Sequence, residues 1–205
     1  MNLISNMAFS ESFKSPLTKV RRWTKEFLPP DMAAKRQAGI ARMMTPNQAF
    51  RVFLGGHLVE VLGFKFSEAR KILDGLQPWM NRLALWPDLP TEAQLSPTDK
   101  LIKNFSVRIF QVEKGDFYLR AIGKIRERKV ETGKDGDRSL WGFERYTEYS
   151  ISKPERAFLD LDPILLRSKI LEIDHLLHNF IFYIDTHGEE RIGEWVKRRG
   201  LLKGE

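Results

Sequence analysis

Thr18, Arg21, Arg22 and Lys25 stand at i, i+3, i+4 and i+7, the spacing that gathers side chains on one face of a helix. Their chemistry is recognition of anions and base edges. A guanidinium can fork onto guanine O6 and N7 or hold a phosphate, while a lysine supplies a point charge. Lys19 adds a cation beside them. Pro16, Val20, Trp23 and Phe27 recur on another side of the same helix, so one face can pack while the other presents cations. Such a helix has the layout needed to lie in a DNA major groove about 12 Å wide. Further on, Lys35, Arg36 and Arg42 surround Gly39. Residues 14–42 carry 8 basic and 2 acidic side chains in all. A solvated amphipathic helix would show the same charges, and charge alone does not separate the two readings.

No other constellation outweighs its plain structural reading. His175 and His178 are three apart, with Asp174 four before His178, a spacing that can chelate a divalent metal. Leu176, Leu177 and Phe180 around them favour histidines that flank a packed helix, so no metal is expected. His57 lies in an apolar helical stretch and His187 at a helix junction. The glycines and lysine of 131–139 lack the spacing of a phosphate loop, and a calcium loop fails because Trp141 would hold a ligand position. The absence of cysteine removes thiolate chemistry. The expectation is a protein that is not an enzyme and carries no cofactor.

The elements that must position the basic face can be read from punctuation and period. Ser15 followed by Pro16 predicts a helix start, with Pro29 and Pro30 stopping that helix near Leu28. Thr45 and Pro46 predict the start of a second helix, which Gly63 ends. A third is expected from a Ser67 cap to a stop at Gly75, with Pro78–Leu85 able to add a turn or two, and the stretch before Ser15 supplies a first helix through Ile4, Met7 and Ala8. Pro87, Pro90 and Pro97 make 86–100 a linker. After it the period falls to two, predicting strands over 105–112, 115–130 and 140–151, with turns at 113–116 and 132–137. Helices are expected over 162–184, entered through Asp162 and Pro163, and over 188–202. The fold class is α+β: an N-terminal unit over 1–85, the linker, and an α+β unit over 101–205 built from a small antiparallel β-meander with C-terminal helices.

The order of these elements is that of a winged helix-turn-helix, and three stretches make the likeness more specific. The segment TKVRRWTKEFLPP resembles the recognition helix of the MerR family of transcriptional regulators, with Arg21 at the family's arginine and Trp23 at its aromatic. KRQAGIARMMTPNQAFRVF resembles the wing and the capped helix that follows, and HLVEVLGFKFSEARKIL resembles the apolar helix, Gly-Phe step and next helix. The resemblance covers about residues 15–76. Lys19 stands at the family's threonine, Phe27 where a glycine is usual, and Met44 near the usual tyrosine. The resemblance implies a winged helix-turn-helix that binds double-stranded DNA as a two-fold dimer. It also implies phosphate contacts from Arg21 and from the basic wing residues Lys35, Arg36 and Arg42. Prolines replace the coiled coil through which family members usually dimerise, so the apolar helix over 162–184 is the expected dimer contact.

Charge distribution agrees with this division. Residues 1–80 hold 12 Lys and Arg against 6 Asp and Glu, whereas residues 81–205 hold 22 against 21. A surplus confined to one segment reads as a local polyanion-binding surface. No apolar run approaches the roughly 20 residues of a membrane span, and no signal peptide is evident, which predicts a cytoplasmic protein. The expected function is a sequence-specific DNA-binding regulator. Two alternatives carry their own signatures. One is a nucleic-acid-associated adaptor whose residues 101–205 bind a protein. The other is a small-molecule sensor with a pocket lined by Phe110, Phe117, Tyr118, Trp141, Phe143, Tyr146 and Tyr149.

Overall fold

The computed structural model describes residues 3–30, 42–83, 85–87, 104–111, 117–126, 129–133, 136–140, 144–151 and 168–184. These form a mixed α+β structure with five helices among the described residues. The wing segment 31–41, the linker from 88 onward, the entry at Asp162 and Pro163, His187 and the helix expected over 188–202 lie outside the described residues.

The chain opens with β1 (Ile4–Ser5), and Ser5 caps α1 (Asn6–Ser12) by accepting from Ala8 N at 3.1 Å. α2 (Leu17–Phe27) follows a turn through Lys14. Its N-cap is Pro16, not Ser15, and no side chain caps it; the Ser15 hydroxyl turns back towards Phe13 O instead. It ends at Leu28 just before Pro29, which disfavours a helical residue ahead of it. β2 (Met43–Met44) pairs antiparallel with β1, Ile4 opposite Met44.

α3 (Pro46–Glu60) begins with the expected Thr45 cap. Thr45 Oγ1 accepts from Gln48 N at 3.2 Å, and Gln48 Oε1 accepts from Thr45 N at 3.0 Å, closing a reciprocal capping box. Gly63, at φ +69°, supplies the left-handed residue after α3, and Phe64 N donates back to Leu58 O at 3.0 Å. α4 (Phe66–Arg82) is capped at Lys65, so it begins two residues earlier than a Ser67 cap would allow, and it does not stop at Gly75. It runs through Gly75 and Pro78 because Leu76, Trp79 and Met80 are buried, and their burial outweighs a cost of about 3 kcal/mol for an internal proline. Gly75 serves close approach: a Cβ there would stand 2.9 Å from Leu119 Cδ1 on the sheet below.

That sheet has the order β7-β4-β3-β8, with β3 (Asn104–Gln111), β4 (Phe117–Arg126), β7 (Glu144–Ser150) and β8 (Ser168–Glu172), all neighbours antiparallel. The first three make the expected meander. β5 (Lys129–Gly133) and β6 (Gly136–Leu140) form a separate hairpin across the expected turn, so 115–130 and 140–151 each break into shorter strands. β8 corrects the helix expected over 162–184. Residues 168–172 alternate exposed and inward positions and pair with β3, Leu171 opposite Val107. Among the described residues of that stretch, α5 (Ile173–Ile184) is the helical part. A run of Ile and Leu suits either element, and the distant β3 edge decides.

One hydrophobic core crosses the boundary at 86–100. Phe180 of α5 meets Phe13, Phe50 and Phe53 at ring-centroid distances of 5.6, 5.2 and 5.7 Å. Trp79 meets Phe105 edge-on at 5.6 Å, and Phe64 meets Phe117 at 5.5 Å. The N-terminal helices and the sheet are thus packed as a unit rather than joined only by the linker.

Candidate nucleic-acid interface

α2 is held on its buried side by a socket in α3. Val20, Trp23, Thr24 and Phe27 face inward. The Phe27 ring lies where a Cβ on Gly55 would be, 2.4 Å from the ideal Cβ position, and the Trp23 ring does the same at Gly56, 2.9 Å away. Two consecutive glycines in mid-helix weaken α3 by about 1 kcal/mol each relative to alanine. They let two aromatic side chains settle against the helix backbone, each contributing roughly 1.5–3 kcal/mol on burial. Phe27 thus finds its small partner on the opposite helix. Thr24, buried beside it, donates to Val20 O at 2.8 Å and meets the Asn6 side-chain amide at 2.9 Å, joining α2 to α1.

Arginines from the flanking elements hold the C-terminal end of α2. A helix leaves its last carbonyls without partners. Arg70 Nε donates to Glu26 O and Arg51 Nε to Phe27 O, both at 3.0 Å, and Arg42 Nη2 donates to Pro29 O at 2.6 Å. Arg70 also pairs with the Glu26 carboxylate at 2.8 Å. Arg51 reaches Gln77 at 3.0 Å and Asp74 at 2.5 Å through its other nitrogens. Each of these cations also suits the negative end of the helix dipole. Arg51 and Arg70 were not legible as site residues, because nothing in their spacing announces a carbonyl some 20 to 40 residues earlier.

The basic face divides once it is placed. Thr18, Arg21 and Lys25 are exposed, and among the described residues none of their side chains has a hydrogen bond or ion pair. They form one stripe directly opposite Val20, Trp23 and Phe27, at about 100° per residue. Lys19 and Arg22 are also exposed but engaged. Lys19 bridges to Glu60 of α3 at 2.8 Å, and the Arg22 guanidinium lies 4.4 Å from the centroid of the Phe66 ring at the start of α4. The Glu26 carboxylate, the one acidic group on α2, is neutralised by Arg70 on the flank, so the free stripe carries only positive charge. Arg42 sits at the base of the segment after Pro29, where its bond to Pro29 O draws the two ends of that segment together. Lys35 and Arg36 lie outside the described residues.

The remaining candidates fall away from this face. Asp174 is buried and Oδ2 accepts from Phe105 N at 2.5 Å, so its carboxylate secures the start of β3. His175 Nε2 contacts Asn179 Nδ2 at 3.1 Å. Among the described residues no group of three His, Cys, Asp or Glu side chains is arranged to hold a metal ion. Of the sheet aromatics, Phe110 is buried and Phe117 packs on Phe64, while the side chains of Tyr118, Trp141, Phe143, Tyr146 and Tyr149 lie outside the described set. Among the described residues no helix is long and apolar enough to cross a membrane. Comparison with protein-family models, with curated proteins and with solved structures gives no match for this chain.

Proposed function

We propose that the protein is a sequence-specific regulator of transcription that binds double-stranded DNA, with α2 as its recognition helix and the segment between Pro29 and Met44 as a flanking basic wing. The observation that carries this reading is the uncompensated stripe of Thr18, Arg21 and Lys25 on a helix fixed at its C-terminal end and along its buried side. Fixing the helix removes much of the ordering cost that a mobile basic segment would meet on binding. In this arrangement Arg21 and Lys25 meet the DNA directly. Lys19, Arg22, Arg51 and Arg70 aim the helix, although Lys19 and Arg22 remain exposed enough to reach phosphate. The protein acts as a dimer in this reading. α5 buries Ile173, Leu176, Leu177, Phe180 and Ile181 within its own chain, which leaves Phe182 and Tyr183 as its exposed apolar contact.

A gel-shift titration on genomic fragments at increasing salt tests the proposal. If about six phosphates are neutralised per protomer, log K falls with log salt at a slope of about −5 per protomer. The reading is abandoned if no fragment is retarded at low salt, or if Arg21→Ala combined with Lys25→Ala leaves the shift unchanged.

A further inference from the structure

A cavity lies beside α2, at the end away from its arginine-bound carbonyls. It has a volume of about 380 Å³ and opens between the α1–α2 turn, α2 and α3. Phe9, Phe13, Trp23 and Phe53 supply its apolar lining, and Lys14, Lys19, His57 and Glu60 its polar groups. The volume falls at the small end of the range of about 300–1,000 Å³ for organic ligands, enough for a fused two-ring compound and too little for a dinucleotide. Aromatic walls favour a flat aromatic guest, which can stack or present its edge to them.

The charges choose the guest's sign. Lys19 and Glu60 neutralise each other at 2.8 Å. Lys14 has no ion pair among the described residues, so one positive charge at the cavity is uncompensated. The backbone at Lys14 makes the lysine itself notable. Its φ is +49°, the left-handed region, in the turn where Ser15 N donates to Ser10 O at 3.0 Å to close off α1. Glycine holds that conformation without steric cost and is the usual residue there. A lysine in its place is locally unfavourable, and no side-chain contact among the described residues accounts for it. His57 is half-buried on the same cavity, and burial lowers its pKa from the ordinary 6.5, leaving a neutral imidazole to donate or accept a hydrogen bond at neutral pH.

We infer that this cavity is a binding site for a small aromatic carboxylate, with the ring among Phe13, Trp23 and Phe53 and the carboxylate at Lys14. The inference concerns the free protein and stands apart from DNA binding, so either can fail alone. Isothermal titration calorimetry with naphthoate, naphthamide and naphthylmethylamine tests it, using the full chain and its Lys14→Gly variant. Glycine suits the turn, so the variant folds, and its thermal midpoint is checked against the wild type. Naphthoate binds the wild type at millimolar or lower concentration, and naphthamide binds about tenfold more weakly, the effect of one charge-assisted contact. Naphthylmethylamine is weaker still, and Lys14→Gly brings naphthoate to the level of naphthamide. Absence of naphthoate binding overturns the inference. So does equal affinity for naphthoate and naphthamide, or unchanged naphthoate affinity in Lys14→Gly.

Discussion

Replacing Gly55 by alanine sets two effects of opposite sign against each other. Alanine in a helix interior is favoured over glycine by about 1 kcal/mol. The new Cβ, however, would stand 2.4 Å from Phe27 Cδ2, 2.5 Å from Cε2 and 2.7 Å from Cγ. Ordinary carbon contacts lie near 3.5 Å, so the ring must retreat by about 1 Å. Three ring atoms are struck at once, and a ring cannot flex as a chain end can. Phe27 is also the last residue of α2, with Arg51 bound to its carbonyl, so the backbone resists the same movement. Overpacking costs typically 1–3 kcal/mol, and this geometry belongs at the upper end, about 3. The net expectation is a loss of about 2 kcal/mol, which lowers the melting temperature of a chain this size by roughly 4–8 °C. Scanning calorimetry with urea titration measures it. A double-mutant cycle with Phe27→Leu isolates the contact, because the smaller side chain relieves the clash and the two changes then fail to add by more than about 0.5 kcal/mol. A Gly55→Ala protein as stable as the wild type or more so would refute the socket, as would strict additivity in the cycle.

Arg51→Lys is not conservative here: a lysine reaches one of Phe27 O, Gln77 and Asp74 but not all three, so urea titration should show a loss of about 1–3 kcal/mol, close to that of Arg51→Met. His57 gives a pH dependence whose sign is fixed by its lowered pKa. The unfolded imidazole takes up a proton near 6.5 and the folded one only at lower pH, so its contribution is intact above about 6.5 and is lost as pH falls through the folded value. Urea midpoints between pH 7.5 and 5 should therefore decline less in His57→Gln than in the wild type; parallel declines would contradict this. In DNA titrations Arg21→Ala should lower the salt slope by about 1, the effect of one lost phosphate contact. Phe66→Ala acts differently, through the loss of the ring under Arg22, and should weaken DNA binding with little change in that slope.

What the sequence disclosed was what local chemistry decides. Thr45 and Pro46 write a helix start, and Gly63 writes a helix stop, because each acts within a few residues. The inward side of α2 was legible from the spacing of Val20, Trp23 and Phe27. Glycine was the ambiguous letter. Gly63 ends a helix, whereas Gly75 lies inside one and admits Leu119 from the sheet, and no local pattern separates the two. The Gly55–Gly56 pair was the clue to the socket, since two glycines within an apolar helix need a packing reason. β8 was misread as helix because the strand it pairs with lies some 60 residues earlier. The basic face was visible as a set of cations, but its division required partners: Glu60 for Lys19 and Phe66 for Arg22 are brought to α2 only by the fold.

Whether α2 reads DNA sequence is decided by selecting bound sequences from a random double-stranded DNA library, in parallel with the wild type and with Arg21→Ala combined with Lys25→Ala. The wild type should yield a two-fold symmetric consensus, its half-sites separated by about one helical turn of DNA, and the variant no enriched motif. A library that stays random with the wild type, or the same consensus from both proteins, would contradict that role for α2.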